Sequence, residues 1–380
     1  MLMKALTDGN QIATRNAATV RHYVPGGCEN GGGIGRLVGY ISGTAKEAGG
    51  KHLVTDTRGP RWSVATSPLR LLGAILMMAK DRIAAPARIH HIHVAGRGST
   101  SRKLILTKAA RFLGCFHVLH LHDYDYASDF VARSPRQQLR IRQMFQNANY
   151  VVVLGQRDRM TLATLLGVDE RRIVVAHNCV PDPGVRNARV GEAPLIVFLG
   201  RLSERKGVKE LLLALSHPIM KELRWRAVLA GDGPVEDYRR QAAAMALSDL
   251  VEMPGWLDAN EARALCARAD ILVLPSHAEG MAMAVIEGLA HGLAVVTTRV
   301  GAHDEAISDG ETGVFVPVGD EDALAAALAK LVTDPEIRNH LSSKGRAHYL
   351  NHFSMKAYMR SLEKLYEAVS AQPQTAVGAP

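Results

Sequence analysis

The sequence predicts an α/β protein made of two doubly wound units, each with a parallel sheet covered by helices. Short apolar runs alternate with helical patterns twice along the chain, which is typical of parallel sheets with crossover helices. The segment 178–184 contains two prolines and interrupts the alternation, so we expect the two units to meet there. The predicted parts are a first domain at 1–184, a second at 185–352, a C-terminal helix at 353–371 and a disordered tail at 372–380.

Composition and charge narrow the class of protein. The 380 residues are 47% hydrophobic and 22% charged, which is typical of a globular chain with a large core. The net charge of +9 divides into +14 over residues 1–188 and −5 over the remainder. A basic half can attract an anionic membrane surface, a phosphorylated lipid or nucleic acid. Because only 5% of the residues are aromatic and no nucleic-acid-binding motif is present, we expect no nucleic-acid partner.

The termini, cysteines and apolar segments indicate a cytoplasmic protein. The four cysteines are far apart, so they predict neither a disulfide framework nor a zinc site. The N-terminus lacks the pattern of a signal peptide, and no apolar segment is long enough to span a bilayer. Residues 69–82 form an apolar helix with basic ends, so contact with the inner membrane surface and ordinary packing both remain open.

The first unit begins with a strand over 18–24, a glycine-rich stretch at 25–36 and a helix from about Arg36 to Glu47. Strand, glycine loop and helix together can cradle a phosphate, although a flexible turn is the alternative. The dinucleotide fingerprint needs a third glycine where Arg36 stands, which argues against a nicotinamide cofactor.

Histidines lie near the ends of two later strands, over 87–94 and 116–122. His90, His91 and His93 are on the first of them, and His120 and His122 are on the second. His-x-His spacing places two imidazoles on one face of a strand. With no third ligand evident nearby, we expect a structural or acceptor-lining role and no metal site. The basic stretch 96–103, which lies between these two strands, is either a loop for an acceptor phosphate or an ordinary helix start capped by Ser or Thr.

The second unit carries two carboxylates after a buried strand at 269–274. Glu279 lies in the loop that follows this strand, and Glu287 lies eight residues later, two turns along a helix that starts near Met281. Gly280 and Met281 can offer backbone amides to a phosphate. An earlier loop contributes the cations Arg201 and Lys206. All these residues follow strands, so we expect them to meet in one cleft between the units.

These motifs together resemble family 4 glycosyltransferases of the GT-B fold, of the bacterial exopolysaccharide type. The resemblance rests on Phe198–Arg201 with Lys206–Gly207, on Gly231–Pro234, and on the Glu279 and Glu287 pair within 275–287. It implies two Rossmann-like domains facing across a cleft and a C-terminal helix that returns to the N-terminal domain. It also implies a retaining, metal-independent hexosyl transfer from a GDP- or UDP-linked sugar.

The resemblance implies a role for each of these residues. Arg201 and Lys206 neutralise the donor diphosphate, Glu287 accepts from the ribose, and Glu279 contacts the transferred sugar. The backbones of Gly280 and Met281 donate to the sugar or phosphate. The remaining donor-binding residues and the catalytic histidine come from the N-terminal domain: Gly32, Gly33 and His122, with His120 as the rival histidine. The family commonly has Phe-Gly where Met281-Ala282 stand, so the sugar stays unnamed.

The expected acceptor is a polyprenyl-diphosphate-linked oligosaccharide, which the basic N-terminal half would attract at an anionic membrane surface. No cofactor is expected, since the nucleotide sugar is a substrate. The stretch Asp123-Tyr124-Asp125 resembles the metal motif of the other glycosyltransferase fold, which lacks the glutamate pair. Two alternatives remain, a catalytically decayed nucleotide-sugar-binding or regulatory protein and, less favoured, a Rossmann oxidoreductase.

Overall fold

The computed structural model describes residues 18–184 and 192–373. The predicted domain boundary between residues 184 and 185, and most of the tail predicted at 372–380, fall outside these ranges and stay predictions. Within the described ranges, no helix has both the length and the apolar character needed to cross a bilayer.

The first half forms a six-stranded parallel sheet in the order β2-β1-β3-β4-β5-β6. Its strands are β1 Val20–Val24, β2 His52–Asp56, β3 Ile89–Val94, β4 His117–Leu121, β5 Tyr150–Val153 and β6 Ile173–Val175. Its helices are α1 Gly27–Asn30, α2 Gly32–Glu47, α3 Thr66–Ala84, α4 Arg97–Phe112, α5 Tyr126–Val131, α6 Pro135–Gln146 and α7 Gln156–Thr164, with a 3-10 turn at Glu170–Arg172. β1, β3 and β4 are fully buried, as strands covered on both faces must be.

The second half forms another six-stranded parallel sheet, in the order β12-β11-β10-β7-β8-β9. Its strands are β7 Leu195–Leu199, β8 Arg226–Ala230, β9 Val251–Gly255, β10 Ile271–Leu274, β11 Ala294–Thr298 and β12 Val314–Val316. Its helices are α8 Val208–Ser216, α9 Pro218–Lys221, α10 Val235–Ala244, α11 Ala259–Arg268, α12 Met283–Ala290, α13 His303–Ala306, α14 Glu321–Thr333 and α15 Pro335–His352, with a 3-10 turn at Glu204–Lys206. Both sheets confirm the predicted doubly wound α/β architecture.

The last helix, α16, spans Met355–Ser370 and packs on the first sheet, as predicted. Its buried face includes Leu362 and Leu365 and joins Val20 and Ile89 in one hydrophobic cluster. The Tyr366 hydroxyl on this face lies 2.8 Å from Nδ1 of His91 on β3. The chain therefore ends its described part on the domain where it began.

The glycine-rich stretch was predicted as a loop followed by a helix from about Arg36, and that boundary is wrong. α1 forms first, and α2 already begins at Gly32. A Cβ atom on Gly31 would lie 2.3 Å from the carbonyl oxygen of Gly27, and one on Gly35 would lie 2.5 Å from it. Glycine at these positions lets the two helices pack backbone to backbone, which a periodicity argument does not reveal.

The basic stretch 96–103 is also helical rather than a loop, since α4 starts at Arg97. No Ser or Thr caps this helix; the Arg97 amide donates to the Asp129 carboxylate at 2.9 Å. Lys103 points into the core, where its Nζ donates to the hydroxyl of Thr57 at 2.9 Å. Lys103 is therefore buried away from any acceptor phosphate.

Candidate active site

The carboxyl ends of the two sheets face each other across a cavity of about 720 Å³. This volume fits a nucleotide-sized ligand, and the cavity lies at the strand ends where doubly wound folds bind ligands. The loops after β7 and β10 border it, and these neighbouring strands are where the strand order of the second sheet reverses. Every residue assigned to the site from the sequence lines this cavity: Gly32, Gly33, His122, Arg201, Lys206, Glu279, Gly280, Met281 and Glu287.

Glu279 is buried and held by two cations and a hydroxyl. Its Oε1 lies 2.5 Å from the Lys206 ammonium and accepts from the Ser276 hydroxyl at 2.8 Å. Its Oε2 lies 3.5 Å from the Arg205 guanidinium. Burial alone raises the pKa of Glu279, but the charge and hydrogen bond of Lys206 outweigh burial and lower the pKa below its ordinary value. Glu279 is therefore a carboxylate at neutral pH.

Glu287 lies on α12 and forms an ion pair across the cleft. Its Oε1 lies 2.8 Å from the guanidinium of Arg36 on α2. The charge of Glu287 raises the pKa of Arg36. Sequence reasoning did not give Arg36 this role, and no local signal could have done so because the two residues are 251 positions apart. The pair joins the two domains at the mouth of the predicted ribose site.

The loop from Gly280 to Met281 presents its backbone to the cavity. The predicted helix start near Met281 is two residues too early, since α12 begins at Met283. Within the described residues, the amides of Gly280 and Met281 donate to no protein acceptor, so both are available to a ligand. The Met281 carbonyl accepts from the buried Asn178 side chain at 2.7 Å, which ties this loop to the segment that follows β6.

The cations of the site lie on the loop after β7 and differ in exposure. The Arg201 side chain is 65% exposed and has a long ion pair, 3.5 Å, with the exposed Asp232. Arg205 also lines the cavity, with its guanidinium over the ring of Tyr124 at 4.9 Å. Arg205 was missed as a site residue, although it stands between Arg201 and Lys206 in the sequence. Three positive charges therefore lie along one wall of the cleft.

His122 follows β4 and reaches the cavity, whereas the rival His120 is fully buried beneath it. The Nε2 atom of His122 lies 2.9 Å from Nδ1 of His93. Burial lowers the pKa of His122 to about 3, so its imidazole is neutral. This placement favours His122 as the histidine that a cleft ligand meets.

The expectation that His91 and His93 have no third ligand nearby is wrong. His120 on the neighbouring strand brings one ring nitrogen within 4.8 Å of theirs. The Asp-x-Asp stretch behaves differently, because Asp123 accepts from the backbone amide of Asp125 at 2.9 Å and Tyr124 stacks on Arg205. These contacts are those of a turn beside the cleft.

The cleft thus combines fixed cations, free amides and carboxylates. Cations and amides can bind a diphosphate, and carboxylates can accept from sugar and ribose hydroxyls. The arrangement suits an anionic, polyhydroxylated ligand that contacts both domains.

Comparisons with known proteins show which sequences and structures this chain is similar to. The family model described as "Glycosyl transferases group 1" matches residues 185–348. The chain is 31% identical over 167 residues to the lipopolysaccharide core biosynthesis glycosyltransferase LpsE of Rhizobium meliloti, covering 44% of this chain and 47% of that protein. The chain thus spans about half the length of the first curated relatives it matches.

Two further similarities cover more of the chain. It is 27% identical over 309 residues to the GDP-mannose-dependent alpha-(1-6)-phosphatidylinositol monomannoside mannosyltransferase of Mycolicibacterium smegmatis, covering 73% of this chain and 76% of that one. The crystal structure of Anabaena Alr3699/HepE in complex with UDP superposes with a TM-score of 0.70 at 16% identity, covering 92% of this chain and 100% of that one. The structural likeness supports the fold alone.

Proposed function

We propose that this protein, whose residues 185–348 match the model of group 1 glycosyltransferases, is a retaining hexosyltransferase of surface polysaccharide or glycolipid assembly. The donor is a GDP- or UDP-linked sugar, and the acceptor is a lipid-linked oligosaccharide. The observation that carries the proposal is the meeting of Glu279, Glu287 and the cations Arg201 and Lys206 in one interdomain cavity.

The cations act on the leaving group. When the bond between the sugar and the diphosphate breaks, negative charge grows on the diphosphate oxygens. Arg201, Arg205 and Lys206 line the cavity, where they can meet that charge and so lower the barrier. Removal of one such group typically costs about 2.7–4 kcal/mol of transition-state stabilisation. With these charges in place the donor site needs no metal ion, so we expect that added Mg²⁺ or Mn²⁺ does not raise the transfer rate.

The carboxylates place the two ends of the donor. Glu287 is positioned to accept from the ribose hydroxyls, and Glu279 from the hydroxyls of the sugar. The free amides of Gly280 and Met281 lie between them and can donate to the diphosphate or the sugar. The donor base stays open, because one relative is named for GDP-mannose and one structural neighbour holds UDP.

The acceptor side of the proposal rests on the surface of α3. Leu69, Leu72 and Leu76 are exposed by 67%, 52% and 61%, and Ile83 by 86%. Their three- and four-residue spacings place them along one helix face, and Arg70 and Lys80 lie on the same helix. Exposed apolar side chains beside basic ones are typical of helices that lie on an anionic membrane. A lipid-linked acceptor would then be presented at the surface where the protein is bound.

Donor binding and transfer test the enzyme proposal. Calorimetry with UDP, GDP and their sugars identifies the donor, since a ligand at 100 times its dissociation constant stabilises the fold by about 2.7 kcal/mol. Glu279→Gln should abolish sugar transfer or donor hydrolysis, while the exposed control Glu236→Gln should keep it. Nucleotide binding without any turnover in the unaltered protein would favour the decayed-enzyme alternative. The anomeric configuration of the product, read by NMR, tests retention.

Vesicle binding tests the membrane part separately. Sedimentation with vesicles of phosphatidylglycerol and phosphatidylcholine should recover the protein at low salt. Leu76→Glu should weaken binding, and Leu139→Glu should not, because Leu139 is equally exposed but lies on α6. Equal binding by both variants would contradict a role for α3.

A further inference from the structure

Six histidines share one face of the first sheet, under α16. Strand pairing sets their register: His22 on β1 pairs with His91 on β3, and His93 on β3 pairs with His120 on β4. The six are His22, His52, His91, His93, His120 and His122. Neighbouring rings stack, and the centroids of His91 and His93 lie 4.7 Å apart at an interplanar angle of 8°. A row of imidazoles therefore stands where this layer of a parallel sheet usually holds aliphatic side chains.

Three of these histidines have the geometry of a ligand set. His91 and His93 project from one strand with His-x-His spacing, and His120 lies directly across on β4. One ring nitrogen from each lies within 4.8 Å of the other two. Nε2 of His91 and Nδ1 of His120 are 3.2 Å apart. Two nitrogens bound to one tetrahedral zinc at 2.0–2.1 Å lie about 3.3 Å apart.

Two of the three histidines, His91 and His93, have an outer contact of the kind that orients metal-binding imidazoles. The Nδ1 atom of His91 lies 2.8 Å from the hydroxyl of Tyr366, which leaves Nε2 for an ion. Nδ1 of His93 lies 2.9 Å from His122, and Nε2 of His93 lies 3.1 Å from His22. In His91 the hydrogen bond on Nδ1 fixes the tautomer, so Nε2 presents its lone pair. In His93 both ring nitrogens have a histidine partner, and a bound ion would replace one of the two.

His120 also carries an unsatisfied atom on its other ring nitrogen. Nε2 of His120 is buried and, among the described residues, has no hydrogen-bond partner. A buried nitrogen without a partner destabilises the fold unless something occupies the space before it. All three ligands are fully buried.

We propose that His91, His93 and His120 bind a first-row divalent transition metal ion, with Zn²⁺ as the ion that imidazole ligands suit best. Two further imidazoles flank the three: the ring centroid of His122 lies 3.9 Å from that of His120, and the ring centroid of His22 lies 5.1 Å from that of His91. Because water does not reach these three side chains, the site is closed and structural. It ties α16 to β3 through Tyr366 and supports His122, the cleft histidine, through His93.

Measuring the metal content of the full chain, and titrating the chain with Zn²⁺, test this proposal without any enzyme assay. Protein stripped with a chelator should take up one equivalent of Zn²⁺ in competition with a coloured chelator. Co²⁺ in its place should give the intense visible bands of a four-coordinate ion. The pair His348 and His352 on α15, with ring centroids 4.7 Å apart, could also bind zinc. We therefore expect the H348A/H352A variant to keep the tight site.

Matched variants locate the ion. His91→Asn should lose the tight equivalent, whereas His90→Asn should keep it, because His90 is equally buried on the same strand but faces the other side, toward Tyr23. Tyr366→Phe removes only the outer hydrogen bond and should weaken Zn²⁺ binding by about 10- to 100-fold. This variant keeps the test decisive if His91→Asn does not fold.

Three results would overturn the proposal. One is an unaltered protein that binds no Zn²⁺ and leaves Co²⁺ with its aqueous spectrum, in which case the cluster is a chain of hydrogen-bonded imidazoles. The second is an equal loss of tight Zn²⁺ binding in His90→Asn and His91→Asn. The third is unchanged affinity in Tyr366→Phe.

Discussion

Replacing Lys206 with methionine leaves a buried carboxylate without its main partner. In the structure Lys206 lies 2.5 Å from Glu279, whose side chain is only 9% exposed. Removing one member of a buried ion pair typically costs about 3–5 kcal/mol. Arg205 at 3.5 Å and the Ser276 hydroxyl at 2.8 Å remain, so we expect a loss of about 3 kcal/mol in the free energy of unfolding.

The loss should depend on pH with a defined sign. In the unaltered protein the pKa of Glu279 is lowered from 4.5, so its contribution to stability is present above pH 4.5 and disappears as pH falls through the lowered pKa. In Lys206→Met, burial dominates and moves this pKa above its ordinary value. The carboxylate then destabilises the fold at neutral pH and stops doing so once it is protonated. The gap between the two proteins, meaning the difference in their free energies of unfolding, should therefore be widest near neutral pH and narrow below pH 4.5.

Guanidinium unfolding followed by tryptophan fluorescence measures this gap. Trp225 is buried in the second domain, whereas Trp62 and Trp256 are exposed, so the signal reports mainly on the domain that holds Glu279. The exposed control Lys209→Met should change stability by less than about 0.5 kcal/mol. Lys206→Met combined with Glu279→Gln should recover most of the loss. A gap that is small, or that stays constant as pH falls, would refute the electrostatic account of Glu279.

Three other predictions follow from particular contacts. Arg36→Gln frees Glu287 for the ribose and should tighten binding of UDP or GDP by at most about 5-fold in calorimetry; weaker binding would mean that Arg36 itself contacts the donor. Gly231→Ala should destabilise the protein more than Gly255→Ala, since both have positive φ but only at Gly231 would a Cβ meet a backbone oxygen, that of Gly200, at 1.7 Å. Equal losses on denaturant unfolding would argue against that close approach. Asp81→Asn leaves the buried Arg21 without its ion-pair partner and should lower the free energy of unfolding by about 3–5 kcal/mol in the same assay. The control Asp309→Asn should lower it by less than about 1 kcal/mol, because the ion pair of Asp309 with Arg299 is exposed. Similar losses in the two variants would contradict this difference in burial.

The sheets and the cleft could be predicted because their signals are local. Apolar runs such as 195–199 and 271–274 predict buried strands without any knowledge of the rest of the chain. Parallel sheets then require the loops after these strands to lie at one edge. That rule was enough to bring Glu279 and Arg201 into one site.

The remaining features depend on partners that are distant in sequence. The pairing of Arg36 with Glu287 needs the relative position of two domains, which no periodicity contains. His120 could be counted as a third ligand only once the register of β3 and β4 was known. The early start of α2 rests on glycines that allow backbone contact, and a glycine-rich stretch predicts a loop equally well.

The contacts of Glu279 suggest a separate role for each of its two carboxylate oxygens. Oε1 is occupied by Lys206 and Ser276, whereas Oε2 has only a long contact with Arg205. Breaking the buried pair with Lys206 would cost more than a sugar hydroxyl returns, so Lys206 should stay on Oε1 when the donor binds. An ammonium group has three donors, and those not used by Glu279 remain for the diphosphate. Lys206 would then hold the carboxylate and the leaving group together, with Oε2 turned to the sugar between them.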